Sequence, residues 1–222
     1  MDWFEWHKAY RKSSALKARL SLVRKQIANC LNACPSGKIR VVSLCAGDGR
    51  DLLGALMNHP RSLDVSARLV ELDRRLVECG RSAAEGAGLA EQLEFVHGDA
   101  TVSSAYEGMV PADLVLACGV FGHVSVSQTA QLIQNLSCLC NSGGFVIWTR
   151  RRNDQESTRH TSAIQNLLCE SAFEEVCFEL TPEGKFGVST YRYLGEPLAL
   201  PKEQQLFDFS EFAGALDWEI PS

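Results

Sequence analysis

The chain has 222 residues, 45% of them hydrophobic, and 22 Lys and Arg against 27 Asp and Glu give a net charge of −5. That length supports one domain with a substantial core. The acidic balance argues against a nucleic-acid substrate, which needs a basic face, and no apolar run approaches the ~18 residues of a membrane span.

Residues 1–12 carry Trp3, Phe4, Trp6, His7 and Tyr10, an aromatic segment suited to cover a site as a lid. Ser13-Ser14 can cap a helix, and Leu16, Leu20, Val23, Ile27 and Leu31 fall on one helical face before Pro35 ends it. Strands are expected at 39–45, 67–72, 93–97, 113–118 and 144–149, with helices at 50–58, 74–86, about 126–140 and 157–171. Two closing strands, 175–180 and 186–194, are joined through Thr181-Pro-Glu-Gly184 and should run antiparallel. The alternation predicts an α/β fold: a doubly wound, mostly parallel seven-stranded sheet with helices on both faces and an antiparallel edge strand. The chain divides into a 1–37 lid and amphipathic helix, a 38–194 binding domain and a 195–222 tail. The tail, with Phe207, Phe209, Phe212 and Trp218, is expected along the surface or reaching a second copy in a homodimer.

The nine cysteines are odd in number and sit mostly in apolar patterns, so they read as small hydrophobes in a reducing cytoplasm. Cys138-Leu-Cys140 lacks a CxxC spacing and a second pair, so no metal is expected. Met-Asp-Trp-Phe-Glu-Trp-His at the start has neither the basic nor the apolar region of a secretory signal.

Chemistry concentrates in Val41-Val-Ser-Leu-Cys-Ala-Gly-Asp-Gly-Arg-Asp-Leu-Leu53, an apolar strand, a Gly-x-Gly turn and the start of a helix. Ala67-Arg-Leu-Val-Glu-Leu-Asp73 follows, a strand ending in acid. A bare turn and a strand-end carboxylate about 20 residues on hold a nucleoside, with the carboxylate on the ribose hydroxyls. A dinucleotide turn would have a third glycine where Leu52 stands, and Asp48 would repel a pyrophosphate. S-adenosylmethionine, without phosphates, suits the turn better. Leu93-Glu-Phe-Val-His-Gly-Asp-Ala100 ends in an acid that can accept from an adenine amino group, with the next N–H donating to the ring. Pro111-Ala-Asp-Leu-Val-Leu-Ala-Cys-Gly-Val-Phe-Gly-His123 and Gly143-Gly-Phe-Val-Ile-Trp-Thr-Arg150 are two further buried strands.

With these landmarks in order, residues 38–150, continuing to 194, resemble the class I S-adenosylmethionine-dependent methyltransferases. The resemblance implies S-adenosyl-L-methionine as cofactor, held by Cys45, Ala46, Gly47, Gly49, Glu71, Leu72, Asp99, Ala100, Cys118 and Gly119. It departs from the family pattern at Ser43, where an acid is usual, and at Cys45, where a glycine is usual. The Ser43 change leaves the contact to the methionine amino group unassigned, while Asp51 in the first helical turn is explained by the helix dipole alone or by direct cofactor contact.

His123, just past the fourth strand, is the candidate general base. Trp3, Trp6, His7, Tyr10, Phe121 and Arg150 are the candidate acceptor contacts. Arg150-Arg-Arg152 suits a carboxylate or phosphate, although such a run is also an ordinary solvated loop. The function these residues imply is methyl transfer to a small molecule. A protein or RNA methyltransferase and a non-catalytic partner on the same fold are the alternatives. No proline-rich segment of the base-amine methyltransferases follows the fourth strand; Ala117-Cys-Gly-Val-Phe121 stands there instead.

Overall fold

A computed structural model describes residues 3–7, 10, 12–152 and 154–209. A short helix α1 (Trp3–His7) precedes α2 (Ser14–Ala33). Ser13 caps α2 by accepting from the Leu16 N–H at 3.3 Å. The apolar stripe does what its spacing requires: Leu16, Val23, Ile27 and Leu31 are buried.

The sheet consists of β1 (Ile39–Leu44), β2 (Val65–Glu71), β3 (Leu93–His97), β4 (Ala112–Cys118), β5 (Cys140–Arg151), β6 (Phe173–Leu180) and β7 (Phe186–Tyr193). Between them lie α3 (Arg50–Leu56), α4 (Arg74–Gly86), α5 (Val126–Leu139) and α6 (Gln155–Glu170). The strand order is β3-β2-β1-β4-β5-β7-β6. β1 to β5 are mutually parallel, and β7 runs antiparallel to both β5 and β6.

The closing hairpin forms the expected antiparallel unit at the sheet edge, and the structure adds the order of its two strands. β6 takes the edge, and β7 turns back into the gap beside β5. Burial accounts for the choice. All of β7 except Arg192 is buried, whereas β6 exposes Glu174, Glu175 and Val176. A charged strand belongs on the edge, where it discourages further pairing.

Strand residues of alternating parity feed two cores. Val41, Leu114, Leu116 and Ile147 pack with Val23, Ile27 and Leu31 of α2, Leu52 and Leu56 of α3 and Val77 of α4. Val42, Val115, Ala117 and Val146 pack with Leu132 and Leu136 of α5 and Ile164 and Leu168 of α6. β1, β4 and β5 are therefore buried on both faces, which explains their near-continuous apolar sequence.

The described part of the tail runs along the surface over residues 195–205 and then enters the core. Leu206 and Phe207 are fully buried in the second core. Residues 204–206 pair with the segment after β3: Ser103 N–H donates to Gln204 O at 2.9 Å and Leu206 N–H to Thr101 O at 2.7 Å. Asn135 of α5 adds a side-chain bond to Leu206 O at 2.7 Å. Phe212 and Trp218 lie outside the described residues. No described helix is long and apolar enough to cross a membrane.

Candidate functional site

Parallel register brings the carboxyl ends of β1, β2 and β4 level: Leu44 lies opposite Val70, Glu71 opposite His97, and Cys118 opposite Thr149. Just beyond these ends opens a cavity of about 830 Å³. Its wall brings together Cys45, Ala46, Glu71, Leu72, Asp99, Ala100, Cys118 and Gly119 of the expected cofactor set, and His7, Tyr10, His123 and Arg150 of the others.

The turn after β1 is built on left-handed backbone at Cys45 (φ 50°), Gly47 (φ 60°) and Gly49 (φ 66°). Cys45 is strained in a way a glycine would not be. Glu71, buried at the end of β2, fastens this turn: its Oε2 accepts from Gly47 N–H at 2.8 Å and its Oε1 from Asp73 N–H at 2.8 Å. Each oxygen retains a lone pair at the cavity wall. Asp99 accepts from Thr101 N–H through Oδ1 at 2.8 Å, leaving its other oxygen uncommitted by that bond.

The two turn glycines have different reasons. A Cβ on Gly47 would come within 2.3 Å of the His7 ring, so α1 rests directly on the turn. A Cβ on Gly49 would come within 2.6 Å of Leu69 and 2.8 Å of Phe95. Gly49 is bare because α3 must settle onto the sheet, and neither Gly47 nor Gly49 is among the residues that line the cavity. Leu72 is 68% exposed and sits at the mouth.

Asp48 is not the free anion its sequence suggests. Its carboxylate is paired with Arg50, whose Nε donates at 2.7 Å, and the Arg50 guanidinium lies 4.6 Å from the Tyr10 ring centre. Repulsion of a pyrophosphate by Asp48 is weaker than the sequence alone implies.

Two histidines line the cavity. Burial lowers His7 to a pKa of about 4, against the opposing pull of Asp48. Burial also lowers His123 to about 4, and Arg19 and Arg150 push it the same way. Both imidazoles are neutral near pH 7. The Cys45 and Cys118 thiols are pushed up by burial and stay protonated.

Arg150 lines the cavity while it donates to Phe121 O and contacts His160 Nδ1 at 3.0 Å. Phe121 is fully buried, 5.4 Å from the Trp148 ring, and packs the core instead of meeting an acceptor. Thr149 Oγ1 accepts from Gly119 N–H at 3.0 Å and fixes the turn after β4. Trp3 and Trp6 lie on α1, but their side chains fall outside the described residues.

Sequence reasoning missed Arg19, Phe186 and Phe209, which also line the cavity. The Arg19 guanidinium lies 5.8 Å from the Tyr10 ring and 5.7 Å from the Phe186 ring. A signal existed, since Arg19 is three residues past Leu16 on the stripe side of α2. Phe209 arrives with the tail, edge-on to Phe207 at 5.3 Å. The antiparallel pairing of residues 204–206 with 101–103 runs it toward Asp99 and Ala100.

No protein-family model matches the sequence, and no curated protein matches it. Solved structures do. Magnesium protoporphyrin IX methyltransferase from Synechocystis, with S-adenosylmethionine bound, is similar at a TM-score of 0.63 and 13% identity, over 86% of this chain and 91% of that one. An O-methyltransferase family protein from Burkholderia thailandensis is similar at 0.59 and 15%, over 80% of this chain but 57% of that one, so the match spans little more than half of that relative. The cyclase SpnF is similar at 0.56 and 13%, over 76% of this chain and 80% of that one. The fold of this chain is that of the class I S-adenosylmethionine-dependent methyltransferases.

Proposed function

We propose that the protein transfers the methyl group of S-adenosylmethionine to a small acceptor. One observation carries this reading: one cavity at the strand ends is lined by Cys45, Ala46 and Asp48 of the turn after β1, by the Glu71 carboxylate and by a second carboxylate at Asp99. The residues present suit the cofactor. Glu71 has lone pairs left for two hydroxyls, Asp99 has an oxygen for an adenine amino group, and Cys45 and Ala46 are small enough for close approach. When bound, that cofactor supplies an electrophilic methyl group on a sulfonium.

The chain's own part is alignment and the exclusion of water. α1 and the tail close over the strand ends, which favours a small acceptor over a macromolecule needing an open groove. The acceptor end is bounded by Gly122, His123, Thr149, Arg150 and Phe186.

His123 is a poor base. With a pKa near 4 and two guanidiniums acting on it, it gains a proton reluctantly. Its proposed role changes from proton abstraction to shaping the wall. An acceptor that needs no base fits best: a carboxylate, which Arg150 and Arg151 could also attract, or a neutral amine. Two cores on strands of alternating parity support helices on both faces of the sheet, and hence the doubly wound reading. The division at 37 and 194, a cytoplasmic setting and a homodimer belong to the same proposal.

Calorimetric titration tests the reading. Micromolar binding of S-adenosylmethionine and S-adenosylhomocysteine, with none of NAD(H), is expected. Binding of NAD(H) alone would reverse the choice of nucleoside.

A further inference from the structure

Charge is unevenly spread over the cavity wall. Asp48, Asp51, Glu71, Asp73 and Asp99 stand at the ends of β1, β2 and β3 or in the segments that follow them. Arg50 and Arg75 answer two of these, Asp48 and Asp73. From the end of β4 onward the described lining residues include two guanidiniums, Arg150 and Arg151, and no carboxylate.

Arg150 is set up to receive an anion. One of its Nη atoms donates to Phe121 O and the other to His160 Nδ1 at 3.0 Å. Two of its five N–H groups are thereby committed and the guanidinium plane is held, which lowers the entropy lost when a planar anion is gripped. Desolvation works against its charge, and the acids that act to restore it, Asp154 and Glu156, are exposed at the start of α6 and do not line the cavity. A carboxylate brought into the cavity supplies what this part of the wall lacks.

Beside the guanidiniums the wall is apolar. Phe186 lies opposite Arg151 in the register of β5 and β7 and packs with Tyr10, Leu16 and Leu20. All four line the cavity. Nothing polar at this end takes up a proton readily: His123 has a pKa of about 4, and burial pushes up the Cys118 thiol and the Tyr10 hydroxyl. A carboxylate is already deprotonated at pH 7. An alkylamine, with an ordinary pKa of about 10.4, must first shed a proton, a handicap in affinity of roughly a thousandfold.

We propose that the acceptor is a small carboxylic acid with an apolar body, its carboxylate gripped by Arg150 and its body laid on Phe186, Leu16 and Leu20, and that the product is its methyl ester. Resting on the cofactor reading above, this narrows the acceptor to one chemical class. One carboxylate oxygen gives an electron pair to the methyl carbon while the carbon–sulfur bond breaks and its pair stays on sulfur. A carboxylate and a sulfonium become an ester and a neutral thioether, and no proton moves. The ester has no charge for Arg150 to hold, so it leaves more readily than the acid binds.

Calorimetry on protein saturated with S-adenosylhomocysteine compares three ligands that share one body: 3-phenylpropanoate, its methyl ester and 3-phenylpropylamine. The acid should bind at least about tenfold more tightly than the other two. Arg150→Gln should weaken the acid about tenfold to a hundredfold, the range of a lost charged hydrogen bond, and leave the ester unchanged. Arg150→Lys, which keeps the charge but not the fork, should fall between. If Arg150→Gln does not fold, the ratio of acid to ester affinity in Arg150→Lys decides. Mass spectrometry after incubation with S-adenosylmethionine should then find the methyl ester. Acid, ester and amine bound alike, none of them bound, or the amine bound best would each overturn the acid acceptor, as would a bound acid that yields no ester. Protein that does not bind S-adenosylhomocysteine at all overturns the cofactor reading as well.

Discussion

The two ends of the cavity are built by different means. The nucleoside end is made of strand ends and the turns that follow them, so Glu71 and Asp99 are placed by sheet register. The far end is assembled from α2, the turn after β4, β5 and β7, which meet only once the fold is complete. One end is acidic with its carboxylates fastened to backbone N–H groups; the other is rich in guanidinium with one of them, Arg19, bonded to nothing described. A cofactor site can thus be specified locally, while the surface that meets the acceptor is free to vary with the packing of distant segments.

The contrast can be broken most severely at its shared foundation. Gly49→Val puts a branched side chain at φ 66° against Leu69 and Phe95, and should cost about 3 kcal/mol in denaturant unfolding, damaging both ends together. Glu71→Ala should act on the nucleoside end. It removes the acceptor for two backbone N–H groups and the ribose carboxylate, and should weaken methylthioadenosine and S-adenosylhomocysteine alike, by about thirtyfold. Loss confined to S-adenosylhomocysteine would contradict that placement.

Acidity probes the far end and α1. His7 and His123 each have a pKa near 4 in the fold, below the ordinary 6.5, so the unfolded chain binds more protons between those values. Stability is fully present above pH 6.5 and falls as pH drops toward 4, with a slope of up to about 1.4 kcal/mol per pH unit for each histidine. His123→Asn should flatten the urea-midpoint profile over that window; an unchanged slope would mean His123 does not titrate as its surroundings dictate. The smallest effect is expected at Phe209→Ala. An aromatic wall worth about 1 kcal/mol should cost adenosine affinity about fivefold and leave the pH profile alone.

The same division governs what could be read from the sequence. Strand runs, the glycine turn, Glu71 and Asp99 are local patterns, an apolar stretch followed at once by its turn, and the structure brings them to one wall. His7 and Tyr10 were legible as aromatic excess before a capped helix. Arg19 was legible only as a residue on the stripe side of α2, because periodicity says which face of α2 is buried but not that its first turns overhang β4. The insertion of β7 depends on comparing the burial of two strands, and antiparallel pairing alone does not order them. Phe121 misled because an aromatic after a strand looks alike whether it lines a site or packs under Trp148. The proline-spaced tail was legible as a surface strap over 195–205, but not that Leu206 and Phe207 would find a groove made by α5 and the segment after β3.

The tail and α1 come from opposite ends of the described chain, yet both reach the same cavity, His7 on one side and Phe209 on the other. Whatever fills that space touches both and acts as a reversible cross-link. A molecule held there stabilises the closed arrangement only while it is bound, so opening becomes rarer with occupancy and commoner as the molecule leaves. Ligand occupancy and the lifetime of the folded chain are in this way set by the same contacts.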